Sequence, residues 1–191
     1  MLEISHIAKS FKKKTILTDV CFSVQKGKCV GILGKNGTGK STLLSILAGL
    51  LKPDSGTYLW EGKNLFTEAK LRVKIQGYIP QGIPLFPELT ALDNLRLWYP
   101  QKKADLVESL SSGILNRLGI KDFLYMPVSK MSGGMKKRLS IACAVANNPE
   151  VLLLDEPSAS LDIICKEQIL DYLGEFCAGG GTALLVTHDT Q

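Results

Sequence analysis

An α/β fold interrupted by a helical insert is predicted by three features of this sequence. Alternating apolar and polar residues at 2–7 and 15–24 read as half-buried strands. Short apolar runs at Cys29–Leu33 and Val151–Asp155 read as buried strands, the first of them parallel. Between them, from Pro84 to Ala146, the apolar period lengthens to that of helices.

The bulk numbers bound this reading. At 191 residues the chain is long enough for one domain with a proper core, and 45% hydrophobic with 21% charged residues is ordinary for a globular protein. A net charge of +5 suits a nucleotide, an anionic membrane or nucleic acid about equally. The basic runs Lys12-Lys13-Lys14 and Lys136-Lys137-Arg138 lack interleaved aromatics, so they read as solvated faces and no nucleic-acid partner is expected. Five cysteines, Cys21, Cys29, Cys143, Cys165 and Cys177, show no C-x-x-C pairing and read as small buried hydrophobes in a reducing compartment. There is no charged leader with an apolar core and no apolar run of membrane-spanning length. The expectation is a soluble, cytoplasmic chain that reaches a membrane only through a partner.

Taken in order, the opening strands end at a Lys26-Gly27 turn into the Cys29–Leu33 strand. A helix follows over 42–49, stopping near Gly49. Turns at Pro53-Asp54-Ser55-Gly56 and Glu61-Gly62-Lys63-Asn64 bracket a strand over 57–60. Residues 75–79 read as a strand ending at Pro80-Gln81. Leu92, Leu95 and Trp98, then Leu106, Leu110, Ile114, Leu115 and Leu118, recur at helical spacing, with breaks at Tyr99-Pro100 and Gly119. Another helix is predicted over 132–146, ahead of Asn147-Asn148-Pro149. After the Val151–Asp155 strand come a helix over 162–176, a Gly179-Gly180-Gly181 turn and a last strand at Thr182–Thr187.

Chemistry is concentrated at Gly34-Lys35-Asn36-Gly37-Thr38-Gly39-Lys40-Ser41, which fits G-x-x-x-x-G-K-[ST] between a strand and a helix that opens with Thr42. Glycines let successive backbone N–H groups converge on an anion at a helix N-terminus. Lys40 is positioned to reach β- and γ-phosphates, and the Ser41 hydroxyl to ligate Mg²⁺. The Val151–Asp155 strand ends in Asp155-Glu156, bringing Asp155 to the metal and Glu156 toward the attacking water.

Ahead of that acidic strand stands Met131-Ser132-Gly133-Gly134-Met135-Lys136-Lys137-Arg138-Leu139, and with it the sequence resembles the ATP-binding cassette family over essentially the whole chain. The fold implied is a P-loop NTPase (RecA-like) core with an antiparallel β portion and an inserted α-helical subdomain. The single domain, 1–191, then divides into a core at about 1–82 and 148–191 and a helical subdomain at about 83–147. The resemblance carries roles onto matching residues. Phe11 stacks on adenine, Gln81 links Mg²⁺ to the helical insert, and Ser132, Gly133 and Gly134 hold the phosphate of a second cassette. Asp162, after Ser160-Leu161, crosses that interface, and His188 contacts the γ-phosphate. Lys40, Glu156 and His188 are thus the expected catalytic residues, with Ser41, Gln81 and Asp155 on the metal.

The implied activity is ATP hydrolysis by a Mg²⁺-dependent dimer of cassettes, homo- or heterodimeric, peripheral to the inner face of a membrane and coupled to an integral membrane subunit. Met135, and the segment Leu85-Phe86-Pro87-Glu88-Leu89-Thr90, are similar to those of bacterial drug, lantibiotic and polysaccharide exporter ATPases. A soluble cassette acting on ribosomes or DNA, or a regulatory module that hydrolyses poorly, are the alternatives. Related cassettes continue through another helix and two strands, so the end at Gln191 reads as a natural shortening or a missing tail.

Overall fold

The computed structural model of the protein describes residues 1–99, 106, 108–111, 113–157 and 163–187, with Cys165 described by its backbone alone. Strands β1 (Leu2–Phe11), β2 (Lys14–Val24), β4 (Ser55–Trp60) and β5 (Lys63–Asn64) form an antiparallel sheet in the order β2-β1-β4-β5. Strands β3 (Cys29–Leu33), β6 (Gln76–Ile79), β7 (Val151–Asp155) and β8 (Thr182–Thr187) form a parallel sheet in the order β3-β8-β7-β6.

Strand β7 is buried along its whole length, and its side chains alternate between two cores. Val151 and Leu153 join Leu2, Ile4, Ile7, Tyr58 and Trp60 of the antiparallel sheet. Helix α1 (Lys40–Leu47) closes this core with Leu43, Leu44, Ile46 and Leu47. Leu152 and Leu154 face the other way, toward Leu92, Leu95, Leu115, Phe123 and Leu139. Each leucine so buried stabilises the fold by about 1.5–3 kcal/mol before entropy is charged.

The second core is built from α3 (Ala91–Trp98), the short helix Gly113–Arg117 and the longer helix Gly133–Val145, with 3-10 turns at Ile120–Phe123 and Val128–Lys130. Thr90 caps α3 by accepting the Asp93 N–H at 3.2 Å. Including Ala69–Ile75, which is α2, these helices are numbered in chain order: α4 is Gly113–Arg117, α5 is Gly133–Val145 and α6 is Ile163–Ala178. Among the described residues no helix is long and apolar enough to cross a membrane.

Several expectations are corrected. Helix α2 was not foreseen, and Ile75 ends it instead of opening β6. Ile75 is the one residue that α2 buries fully, so the segment has no apolar stripe to read. Lys63 and Asn64 pair with Trp60 and Leu59, making a strand where only a turn was expected. β3 is parallel as expected but lies at the sheet edge, leaving Leu33 58% exposed. Trp98, read as part of the apolar face of its helix, is exposed at the end of α3, while Leu92 and Leu95 are buried. Of the described cysteine side chains only Cys143 is buried; Cys21 and Cys29 are exposed.

Gly77 of β6 sits where a Cβ would come within 2.4 Å of the Ala144 carbonyl oxygen and 2.8 Å of Leu152 Cδ2. Gly77→Ala is expected to cost about 1–3 kcal/mol, because the β6–α5 contact is backbone against backbone. Gly174, exposed on α6 with open space around it, should gain ~0.5–1 kcal/mol as alanine. Urea melts of the two variants should therefore move in opposite directions.

Candidate functional site

The loop joining β3 to α1 is shaped from outside by the antiparallel sheet. Gly39, the N-cap of α1, has a φ of 96°. A Cβ there would also lie 2.9 Å from Ile16 Cγ2 and from Leu17 Cδ2 of β2. Left-handed backbone and contact with β2 both require glycine at this point. Gly39 has no side chain to cap α1, so among the described residues the first-turn N–H groups are left for an anion. Within the loop, Thr38 Oγ1 donates to the Lys35 carbonyl at 2.9 Å. Lys40 Nζ donates to the carbonyls of Gly34 and Lys35 at 2.6 and 3.0 Å, which holds its ammonium across the loop. Asn36 and Gly37 are exposed at the loop tip, and Thr42 lies in the first turn of α1.

The acidic strand end meets this loop directly. Ser41 Oγ donates to Asp155 Oδ1 at 3.1 Å, joining residues 114 positions apart. Asp155 is only 3% exposed. Burial pushes its carboxyl above the ordinary range; the Ser41 hydrogen bond opposes this, Glu156 adds to it, and Lys137 and Lys40 oppose it. A hydroxyl beside a buried carboxylate is an oxygen donor set suited to a hard divalent cation such as Mg²⁺. Glu156 follows in the left-handed region, with a φ of 48° and its N–H donating to the Val186 carbonyl at 2.9 Å. Strain of this kind, of order 1 kcal/mol, persists where surrounding contacts enforce it. Gln81 Nε2 donates to Glu156 Oε2 at 3.2 Å. Lys40, Ser41, Gln81, Asp155 and Glu156 are thus brought to one place.

One neighbour was missed. Lys137, read as part of a solvated basic run, is 3% exposed. Its Nζ donates to the Pro80 carbonyl at 3.2 Å, one residue before Gln81. Burial lowers the Lys137 pKa, and the charges of Asp155 and Glu156 work against that. Ile141 and Val145, one and two turns further along α5, are both buried. That i, i+4, i+8 stripe was the available signal. Arg138 is also not a free surface charge: it lies over the Phe123 ring at 5.2 Å and donates to the Leu118 carbonyl.

The other described site residues, Phe11, Ser132, Gly133 and Gly134, are not members of this hydrogen-bonded group. Phe11 is exposed at the end of β1, with Lys9 Nζ 5.5 Å from its ring centre. Ser132 caps α5, its Oγ accepting the Met135 N–H at 3.2 Å. Among the described residues, nothing beyond the local helix backbone and chain neighbours lies within 4 Å of where a Cβ on Gly133 or Gly134 would stand. Asp162 and His188 fall outside the described residues.

Comparison with known proteins adds the following. The family described as ABC transporter matches residues 17–159. Nod factor export ATP-binding protein I of Sinorhizobium fredii is 35% identical over 190 residues, covering 98% of this chain and 55% of that protein. Lantibiotic transport ATP-binding protein SrtF of Streptococcus pyogenes is 37% identical over 188 residues, covering 98% of this chain and 80% of the relative. Spermidine/putrescine import ATP-binding protein PotA of Bacteroides thetaiotaomicron is 37% identical over 194 residues, covering 100% and 42%. This chain therefore spans about two fifths to four fifths of the length of these relatives. Among solved structures, an ATP-binding cassette in a dimeric post-hydrolysis state bound to ADP and Pi superposes with a TM-score of 0.86 at 29% identity, covering 99% of this chain and 88% of that one.

The raised Asp155 carboxyl makes a stability prediction. A carboxyl whose folded pKa lies above its unfolded value penalises the fold increasingly as pH rises from the unfolded pKa to the folded one, and in full above it. Asp155→Asn is therefore expected to raise the stability of the free chain at neutral pH, by roughly 0.5–2 kcal/mol. As pH falls through the raised Asp155 pKa the native carboxyl takes up its proton and the gap to the variant should close. Thermal melts of both proteins across that range check the sign.

Proposed function

The chain belongs to the ABC transporter family, and we propose from this that it binds and hydrolyses ATP as one of two cassettes driving a separate membrane subunit. The observation that carries the reading is the Ser41–Asp155 hydrogen bond with Glu156 next in sequence, which joins the phosphate loop to the acidic strand. The N–H groups of the loop and of α1 bind the phosphates of ATP, and Lys40 exchanges its loop carbonyls for phosphate oxygens. Ser41, Asp155 and Gln81 would hold Mg²⁺, which when bound neutralises charge on the phosphate oxygens. Glu156, released from Gln81, orients the attacking water and accepts its proton. His188 contacts the γ-phosphate, and Phe11 stacks on adenine from the end of the β1–β2 hairpin.

Ser132, Gly133 and Gly134 complete the site of a second cassette. The open space beside both glycines supports this, since packing among the described residues does not call for glycine there. A phosphate approaching from outside would call for it, because backbone N–H groups must come close without a Cβ between. Asp162 belongs to the same interface. The helical segment at 83–147 acts as the subdomain that passes closure to the membrane subunit through the Gln81 region, and 1–82 with 148–191 acts as the core. The assembly stands at the inner face of the membrane. Export is the favoured direction, supported by Met135 and by the names of the export and lantibiotic relatives.

Glu156→Gln should lower ATP turnover at least about 100-fold while leaving ATP binding intact. With MgATP that variant should pass from monomer to dimer by light scattering, whereas Lys40→Ala should stay monomeric. A chain that binds no ATP would overturn the reading. A Glu156→Gln variant that binds ATP yet stays monomeric would overturn self-pairing and leave a different cassette as the partner.

A further inference from the structure

Away from the phosphate loop, three side chains of different chemistry converge on the antiparallel sheet. His6 Nδ1 lies 2.6 Å from Asp19 Oδ1 and 3.7 Å from Cys21 Sγ. Cys21 Sγ lies 3.8 Å from Asp19 Oδ1. All three residues are exposed. We propose that His6, Asp19 and Cys21 form a surface binding site for a borderline-soft divalent cation of the zinc class, completed by water.

The backbone accounts for the convergence. Pairing of β1 with β2 runs Ile4↔Phe22, then Ile7↔Val20, so Ser5 and His6 together oppose Cys21 alone. The next pair is Lys9↔Leu17, so Thr18 and Asp19 together oppose Ala8. At these two of the three register shifts in the pair, β1 and then β2 carries the extra residue, and bulges re-aim side chains. The re-aimed residues are His6 and Asp19, at φ 55° and 52° in the left-handed region. Gly56 of β4 holds this shape from behind, since a Cβ there would come 2.6 Å from the His6 carbonyl oxygen. Ile4 and Ile7 both stay buried across the extra residue.

The ligand set selects the ion. Imidazole nitrogen, thiolate sulfur and carboxylate oxygen together suit zinc, not the all-oxygen preference of Mg²⁺ or Ca²⁺. Tetrahedral zinc bonds of about 2.0–2.3 Å put neighbouring ligand atoms roughly 3.3–3.6 Å apart. The two sulfur distances are within a few tenths of an ångström of that, and the His6–Asp19 contact has only to open. Binding exchanges the Cys21 thiol proton, released to solvent, for the metal–sulfur bond. Neutral His6 ligates through the Nδ1 lone pair with its proton on Nε2, and Asp19 through its carboxylate. Solvent supplies the fourth ligand. The proposal does not depend on the nucleotide reading.

Cobalt(II) titrated into the purified full chain tests it, because thiolate-bound cobalt absorbs in the near ultraviolet and a tetrahedral site absorbs in the visible. One equivalent should produce both bands, and zinc should bleach them. Cys21→Ser should abolish the near-ultraviolet band. His6→Asn, chosen because asparagine tolerates the left-handed backbone, should weaken binding at least about tenfold, as should Asp19→Asn. Cys29→Ser and Cys177→Ser should leave the bands unchanged, and circular dichroism should show every variant folded. No band at one equivalent, or a band that survives Cys21→Ser, would overturn the proposal.

Discussion

Burial of β7 on both faces is the constraint from which the rest of the molecule follows. Alternation along a strand sends Val151 and Leu153 into one core and Leu152 and Leu154 into the other. The antiparallel sheet and α1 close the first core, and the helical segment closes the second. A slip of one residue would exchange the two sets, and the four apolar residues would then meet the wrong partners. The strand can therefore end in only one place, and that place puts Asp155 against Ser41 and Glu156 beside Gln81.

Carboxylates at the end of a buried strand are costly to keep ionised without a metal or a close cation. The structure meets part of that cost with Lys137, whose buried ammonium is held by the Pro80 carbonyl. This places a single lysine between three functional segments: the α5 helix capped by Ser132, the Gln81 segment and the acidic strand. The position of α5 therefore sets part of the field at the carboxylates. The net effect leaves the Asp155 carboxyl above its ordinary range in the free chain.

The antiparallel sheet does more than cover a core. Its β2 residues Ile16 and Leu17 press on Gly39 and so help set the path of the phosphate loop. The same hairpin ends at the exposed Phe11 and carries the two bulges that gather His6, Asp19 and Cys21. One hairpin thus shapes the loop while presenting a separate cluster to solvent.

Much of this was legible from residues alone. The phosphate loop between strand and helix, the apolar run ending in Asp155-Glu156 and the start of α5 beside Ser132 stand where local pattern placed them, because each depends on neighbours a few positions away. Helix α2, the exposure of Trp98 and the edge position of β3 were not legible, because each depends on what packs against the segment and from which side. The same holds for charge and sulfur. Lys137 in a basic run and Cys21 in an opening strand look like a solvated cation and a buried thiol, and folding reverses both. Local pattern along the chain settles which chemical groups it carries and the elements that present them. Their surroundings come from the folded packing, because burial and proximity arise from contacts between residues far apart in the chain, as between Ser41 and Asp155.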